Sequence, residues 1–273
     1  MRLRFRSPMG LGGRLRPPAD KSITHRALML AAVASGRCEV ANPLAAGDCL
    51  STRTCLEALG AAVEEEPARE GGLLVWRIAG RGLRGLAEPA GVLDAGNSGT
   101  TMRCLSGLLA GLPLFAVLSG DESLRRRPML RVVEPLRLMG ARIEGRAGGR
   151  LPPLGLLPGG GSLAPLRYEL AVASAQVKSA LLLAALRAEG ESSLGGELAS
   201  RDHTERLFEY LGVAVTRRQG RLVCAPPRSI PAFQLTVPGD PSSAAFFLAA
   251  ALIRGRELEV EGCCLNPTRL GFI

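Results

Sequence analysis

The sequence predicts an α/β fold assembled from copies of one unit that close around a pseudo-threefold axis. Two sets of internal echoes carry this reading. Four apolar, Ala/Leu-rich segments begin alike: KSITHRALMLAAVASG from Lys21, NSGTTMRCLSGLLAG from Asn97, ASAQVKSALLLAALRAEG from Ala173 and GDPSSAAFFLAAALIRG from Gly239. Three others share an apolar-x-x-L/M-G-A/V-x-V/I pattern: LEALGAAVEEE (56–66), LRLMGARIEGR (136–146) and FEYLGVAVTRR (208–218). Self-similarity at a period of this size marks a repeat architecture.

Each unit reads in the same order. Ser22, Ser98, Ser174 and Ser242 lead the apolar segments, where a hydroxyl satisfies free helix N–H groups. The following ten or so residues are apolar on most faces, which predicts four deeply buried helices. A strand follows, then a second, amphipathic helix stopped by Gly60, Gly140 or Gly212, then a strand that alternates apolar and polar. Three units are complete. In the fourth, NPTRLG carries Thr268-Arg269 where the first unit has Thr52-Arg53. The expectation is therefore that the sequence stops inside the second helix of a fourth unit.

Composition narrows the function. With 47% hydrophobic residues in 273, the chain can bury a large core, and disorder is excluded. The net charge of +9 calls for an anionic partner. Aromatics are only 4%, too few for the base-stacking platforms of single-strand binders. The longest apolar run, Leu105 to Leu118, contains two Gly and a Pro and is too short to span a bilayer. The opening MRLRFRSP has no apolar stretch behind it, so no signal peptide is expected. Seven Cys without a C-x-x-C pair, and only two His, give neither a zinc site nor a disulfide framework. They read as small buried hydrophobes in a reducing cytosol.

The polar residues gather where the apolar helices begin: Lys21, Ser22 and Arg26; then Asn97, Ser98, Gly99, Thr100 and Arg103; then Ser174, Gln176 and Lys178. A helix N-terminus offers unpaired N–H groups and a positive dipole end, a natural anion site. Gly99 lets a ligand approach the backbone. Lys adds a compact charge and Arg a planar fork for phosphate or carboxylate. Cations in a first turn oppose the dipole, so Lys21 and Arg26 call for a functional reason. GNSGTT lacks the endings of a P-loop or dinucleotide fingerprint. His25 and His203 read as structural, and Asp202-His203 lacks the nucleophile elbow of a hydrolase triad.

PADKSITHRALMLAA, DAGNSGTTMR, GDESLRRRPM, ASAQVKSALLLA, SRDHTERL, VPGDPSSAAFFLAAALI and NPTRLG occur in this order and cover nearly all of the chain. Together they resemble the 5-enolpyruvylshikimate-3-phosphate (EPSP) synthases. SAQVKSA and RDHTE look like the bacterial class II branch. The resemblance implies the enolpyruvyl transferase fold, an inside-out α/β barrel of βαβαββ-type units. It implies a three-repeat domain over 19–237, on the shikimate-3-phosphate side. A second domain, of residues 1–18 plus 238–273, would be only partly present. It implies transfer of the enolpyruvyl group of phosphoenolpyruvate to the 5-hydroxyl of shikimate 3-phosphate, in the cytoplasm, by a monomer, with no cofactor and no metal. Lys21, Ser22, Arg26, Ser174, Ala175, Gln176 and Arg201 would bind shikimate 3-phosphate. Lys21, Asn97, Gly99, Arg103, Arg127 and Gln176 would bind phosphoenolpyruvate, with Lys21 catalytic. With no side chain at Gly99, the site should have room for the analogue glyphosate. The acid–base carboxylates of the family belong to a C-terminal half, so the 273 residues alone are expected to be inactive and to bind shikimate 3-phosphate weakly at best. The sister transferase acting on UDP-N-acetylglucosamine has an Asn after the first Lys and a reactive loop Cys. Here Ser22 follows Lys21 and GDESLRRRPM has no Cys. Two other readings are a fragment completed by a C-terminal partner and a non-catalytic phosphate- or RNA-binding module; neither nucleic acid nor membrane is expected as a partner.

Overall fold

The computed structural model describes residues 12–67 and 72–272. Residues 1–11, which include the segment read for a leader and most of the expected 1–18 piece, lie outside the described residues, as does Ile273. The chain enters through β1 (Gly13–Leu15). The first unit is α1 (Lys21–Ala32), β2 (Arg37–Ala41), α2 (Gly47–Ala58), β3 (Ala62–Glu66) and β4 (Val75–Ala79). The second is β5 (Leu93–Asp94), α3 (Gly99–Leu109), β6 (Ala116–Ser119), α4 (Leu130–Leu138), β7 (Ile143–Gly145), the single turn α5 (Arg146–Gly149) and β8 (Leu151–Leu156). The third is β9 (Arg167–Leu170), α6 (Ala175–Ala185), β10 (Ser192–Gly196), α7 (His203–Tyr210), β11 (Val215–Arg218) and β12 (Arg221–Cys224). β13 (Gln234–Thr236), α8 (Pro241–Ile253) and β14 (Leu258–Val260) follow.

The strands form three four-stranded sheets of one topology. Two are ordered β5-β6-β8-β7 and β9-β10-β12-β11. In each, the first two strands are parallel and the rest antiparallel. The third is β13-β2-β4-β3, with β13 parallel to β2. Every sheet is thus a βαβαββ unit, but the first unit takes its first strand from residues 234–236. β1 and β14 pair in parallel as a separate two-stranded sheet. Alternation does the rest: in β8, Pro152, Leu154 and Leu156 turn inward and their neighbours outward, as expected of a sheet with one covered face.

The apolar helices α1, α3 and α6 form the centre. From Ile23 to Ala32 every residue of α1 is buried. α3 and α6 touch so closely that a Cβ on Gly107 would collide with the Ala180 carbonyl oxygen. At the far end of the pair the Arg187 guanidinium donates to the Ala110 carbonyl at 2.8 Å, so the two helices run parallel with their N-termini at one pole. Gly60, Gly140 and Gly212 follow α2, α4 and α7 with φ of 90°, 91° and 73°, the left-handed stop read from the repeat. No helix among the described residues is long and apolar enough to cross a membrane.

Three expectations are corrected. Ser98 and Ser174 cap α3 and α6, but Ser22 and Ser242 do not cap α1 and α8. There the cap is an aspartate two residues earlier. Asp20 accepts from the Ile23 N–H at 2.9 Å and Asp240 from the Ser242 N–H at 2.8 Å. Both aspartates have extended backbone, and a carboxylate also favours the positive helix end. Second, α8 is not deeply buried: Phe246, Leu252 and Ile253 are 80%, 82% and 84% exposed. Among the described residues its neighbouring sheet is the two-stranded β1-β14, which covers one side only. Third, NPTRLG begins no α-helix. It makes one 3-10 turn, Pro267–Arg269, because Asn266 accepts from the Thr268 N–H and Arg269 is drawn to aspartates outside the turn.

Candidate active site

The helix N-termini meet through their own side chains. Gln176, in the first turn of α6, donates from Nε2 to Thr100 Oγ1 of α3 at 2.9 Å. Its Oε1 accepts from Arg103 Nη1 at 2.5 Å, and Arg103 Nη2 donates to the Pro128 carbonyl at 3.1 Å. Arg127 donates to Asn97 Oδ1 at 2.5 Å, and Asn97 in turn donates to Asp121 Oδ2 at 2.6 Å. Gly99 lies beneath both arginines: a Cβ there would meet Arg103 Nη1 at 2.8 Å and Arg127 Nη1 at 3.3 Å. Asn97, Gly99, Arg103, Arg127 and Gln176 therefore form one cluster, with Ser174 and Ala175 at its edge opening α6.

Both cations are held by neutral oxygens, so their charges are not cancelled by a bonded carboxylate. Burial pushes the Arg103 guanidinium below its ordinary range, and the charges of Arg131 and Arg127 add to this. Asp121 is held below the usual carboxylate range by the Asn97 hydrogen bond and the Leu124 N–H.

A second cluster stands at the mouth of α1. Lys21 Nζ pairs with Asp48 Oδ2 at 3.0 Å, half-exposed. Lys21, Ser22 and Arg201 line one cavity of about 380 Å³ with Asp240, Ser242 and Arg269. Burial lowers the Arg201 pKa, helped by the Arg269 charge. The two clusters are joined through Asp48, whose carbonyl accepts from Thr101 Oγ1 of α3 at 3.3 Å. Beneath the cavity Arg269 bridges two helix caps, with Nη1 on Asp20 Oδ2 at 2.9 Å and Nη2 on Asp240 Oδ1 at 2.7 Å.

Two cations read from the helix mouths lie elsewhere. Arg26 is buried, donating to Thr204 Oγ1 (2.7 Å), Ser179 Oγ (2.6 Å) and the Ser22 carbonyl (2.9 Å). It braces α1 against α6 and α7 and does not line the cavity. Lys178 is wholly buried beside Glu205, so it is no donor at the mouth. His25 and His203 are buried, and desolvation pushes each down to about 3; they are neutral internal groups, as the sequence reading has them. Among the described residues all seven cysteines are free thiols, and burial pushes Cys49, Cys55 and Cys224 up to about 12.

Asp48, Asp121 and the Asp20–Arg269–Asp240 bridge escaped the sequence reading. One signal was present for the last. PADKS (18–22) and PGDPS (238–242) repeat an Asp two residues before the Ser, which is where both caps are found.

Three βαβαββ sheets around parallel buried helices, with uncancelled cations at the pooled N-termini, define the enolpyruvyl transferase fold. Comparison with known proteins narrows this. Residues 6–273 match the family model described as EPSP synthase (3-phosphoshikimate 1-carboxyvinyltransferase). The chain is similar to proteins named 3-phosphoshikimate 1-carboxyvinyltransferase from Chloroflexus aggregans, 52% identical over 271 residues, and from Thermus thermophilus, 54% identical over 270. Each match covers 98% of this chain and 61% of the relative. An EPSP synthase structure from Acinetobacter baumannii superposes with a TM-score of 0.87 at 40% identity, over 96% of this chain and 57% of that one. The chain belongs to the EPSP synthase family, and it spans about 61% of the length of these curated relatives.

Proposed function

We propose that this chain takes part in transfer of the enolpyruvyl group of phosphoenolpyruvate to the 5-hydroxyl of shikimate 3-phosphate. The observation that carries this is the pair Arg103 and Arg127, held by neutral oxygens above Gly99. Such a cradle leaves the remaining N–H groups of two charged forks for a small, multiply charged anion such as phosphoenolpyruvate. Asn97 and Gln176 hold the forks in place. Shikimate 3-phosphate lies between the α1 and α6 mouths, on Lys21, Ser22, Arg201, Ser174, Ala175 and Gln176. Arg26 acts there through Ser22, whose carbonyl it holds. In the reaction the 5-hydroxyl gives up its proton as its oxygen adds to C2 of phosphoenolpyruvate, and C3 gains a proton, so the addition is balanced in protons. The tetrahedral adduct then loses that proton equivalent from C3 and expels phosphate. Lys21, exchanging Asp48 for the ligand, steadies negative charge on the bridging oxygen of the departing phosphate. We infer no cofactor, residence in the reducing cytoplasm, and a monomeric state. Residues 19–237 make up the shikimate-3-phosphate domain.

Calorimetry tests this. Shikimate 3-phosphate should bind, and phosphoenolpyruvate should bind more tightly in its presence. Arg127→Gln should weaken phosphoenolpyruvate at least tenfold and leave shikimate 3-phosphate unchanged. Glyphosate should compete with phosphoenolpyruvate over Gly99. A chain that ignores both substrates but binds RNA with strong salt dependence would overturn the reading.

A further inference from the structure

Lys178 stands one helical turn inside α6 from Ser174 and is wholly buried. Its ammonium lies 2.6 Å from Glu205 Oε1 of α7 and donates to the carbonyls of Leu198 and Ser200, each at 3.4 Å. The two carbonyls take two of its three protons, and Glu205 faces it as a close counter-charge. Glu205 is almost as deep, and neither of its carboxylate oxygens has a hydrogen-bond partner. An apolar pair of similar volume is often as stable as a buried ion pair, so stability alone does not account for this one. An apolar pair could not hold two backbone carbonyls. Those carbonyls belong to the turn that delivers Arg201: Leu198 N–H bonds Gly196 O at 2.9 Å, and Ser200 N–H bonds Leu198 O at 2.7 Å. Arg201 lines the cavity with Lys21 and Ser22, and its side chain makes no hydrogen bond among the described residues. Its reach is therefore set by the backbone behind it.

We propose that Lys178 is a positioning residue: its ammonium, anchored on Glu205, fixes the 198–200 turn so that Arg201 reaches the phosphorylated ligand at the α6 mouth. This rests on the reading that Arg201 binds shikimate 3-phosphate. The test is a cycle in the full chain between Lys178→Met/Glu205→Met, which removes both charges together, and Arg201→Ala. The paired change should keep the melting temperature within a few degrees yet weaken shikimate 3-phosphate about tenfold. In the Arg201→Ala background it should change the dissociation constant less than twofold, because its effect passes through Arg201. Hydrogen exchange at amides 197–202 should quicken in the pair variant without ligand, while α6 keeps its protection. Wild-type affinity in the pair variant, an equal loss in both backgrounds, or unchanged exchange at 197–202 each overturns the positioning role. If Arg201→Ala binds as well as the wild type, the reading of Arg201 falls, and the positioning role with it. If Arg201→Ala weakens binding and the pair variant does not, the positioning role alone falls.

Discussion

Replacing Gly99 by alanine tests the cradle directly. The new Cβ meets no backbone atom: its nearest neighbours are Arg103 Nη1 at 2.8 Å and Arg127 Nη1 at 3.3 Å. Ordinary contact begins near 3.4 Å, so Arg103 must retreat by roughly 0.6 Å and Arg127 by roughly 0.1 Å if packing is to relax. Arg103 is not free to do so, because Gln176 and the Pro128 carbonyl hold its two terminal nitrogens. The strain therefore lands on the fork and on Gln176. Gly99 is not in the left-handed region, and alanine is the better helix former, so the fold should change by no more than about 1 kcal/mol either way. A hydrogen bond to a charged group is worth about 1.5–3 kcal/mol. Partial loss of one corresponds to roughly a tenfold weaker phosphoenolpyruvate. Titration calorimetry with shikimate 3-phosphate present reads the affinity, and scanning calorimetry reads the fold. A Gly99→Ala chain that melts as the wild type and binds phosphoenolpyruvate within twofold refutes the cradle.

Other outcomes follow from the interior. His25 and His203 ordinarily titrate near 6.5 and are pushed down to about 3 in the fold. The unfolded chain therefore takes up two protons that the native chain refuses. Stability is full above pH 6.5 and falls from there toward pH 3, by up to about 2.7 kcal/mol per pH unit where both groups count. Urea midpoints at pH 7, 6 and 5 should show this slope, and His25→Asn/His203→Asn should flatten it; an unchanged slope refutes the assignment. Asp20, raised by burial, works in the opposite sense: its contribution is full below its ordinary 3.8 and is lost as pH rises through its raised native value, so it offsets part of the histidine slope at the acid end. Gly107→Ala should cost more than about 3 kcal/mol, since its Cβ would strike the Ala180 carbonyl; a near-native melting temperature counts against the α3–α6 contact. Maleimide at neutral pH should modify Cys263 first, because it is the one cysteine not fully buried; rapid native labelling of a second thiol contradicts the burial.

The repeat was legible because its signals are local. Glycines at 60, 140 and 212 stop three helices through their own backbone, whatever packs nearby. The mouths of α3 and α6 were legible for the same reason, since Ser98 and Ser174 cap within a single turn. Arg26 and Lys178 carry the same sequence signal as Arg103 and Gln176. What separates them is which neighbour covers them: Thr204 and Ser179 draw one inward, Glu205 the other. Those partners lie 27 to 178 residues away, and no local pattern reports them. The Asp48–Lys21 pair escaped notice likewise. α8 failed in the opposite sense, because an all-apolar helix reveals its appetite for burial but not what is available to cover it.

The origin of β13 has a consequence for biosynthesis. The second and third sheets draw their strands from continuous stretches, 93–156 and 167–224. The first, made earliest, pairs β2 with residues 234–236. Nearly two hundred residues separate the partners, roughly 10–40 s of synthesis at about 5–20 residues per second. For that interval β2 presents an unpaired parallel edge on the ribosome, the kind of surface on which nascent chains stray. The unit translated first is the last to be closed, and a chaperone that guards this protein would find its work on the edge of β2.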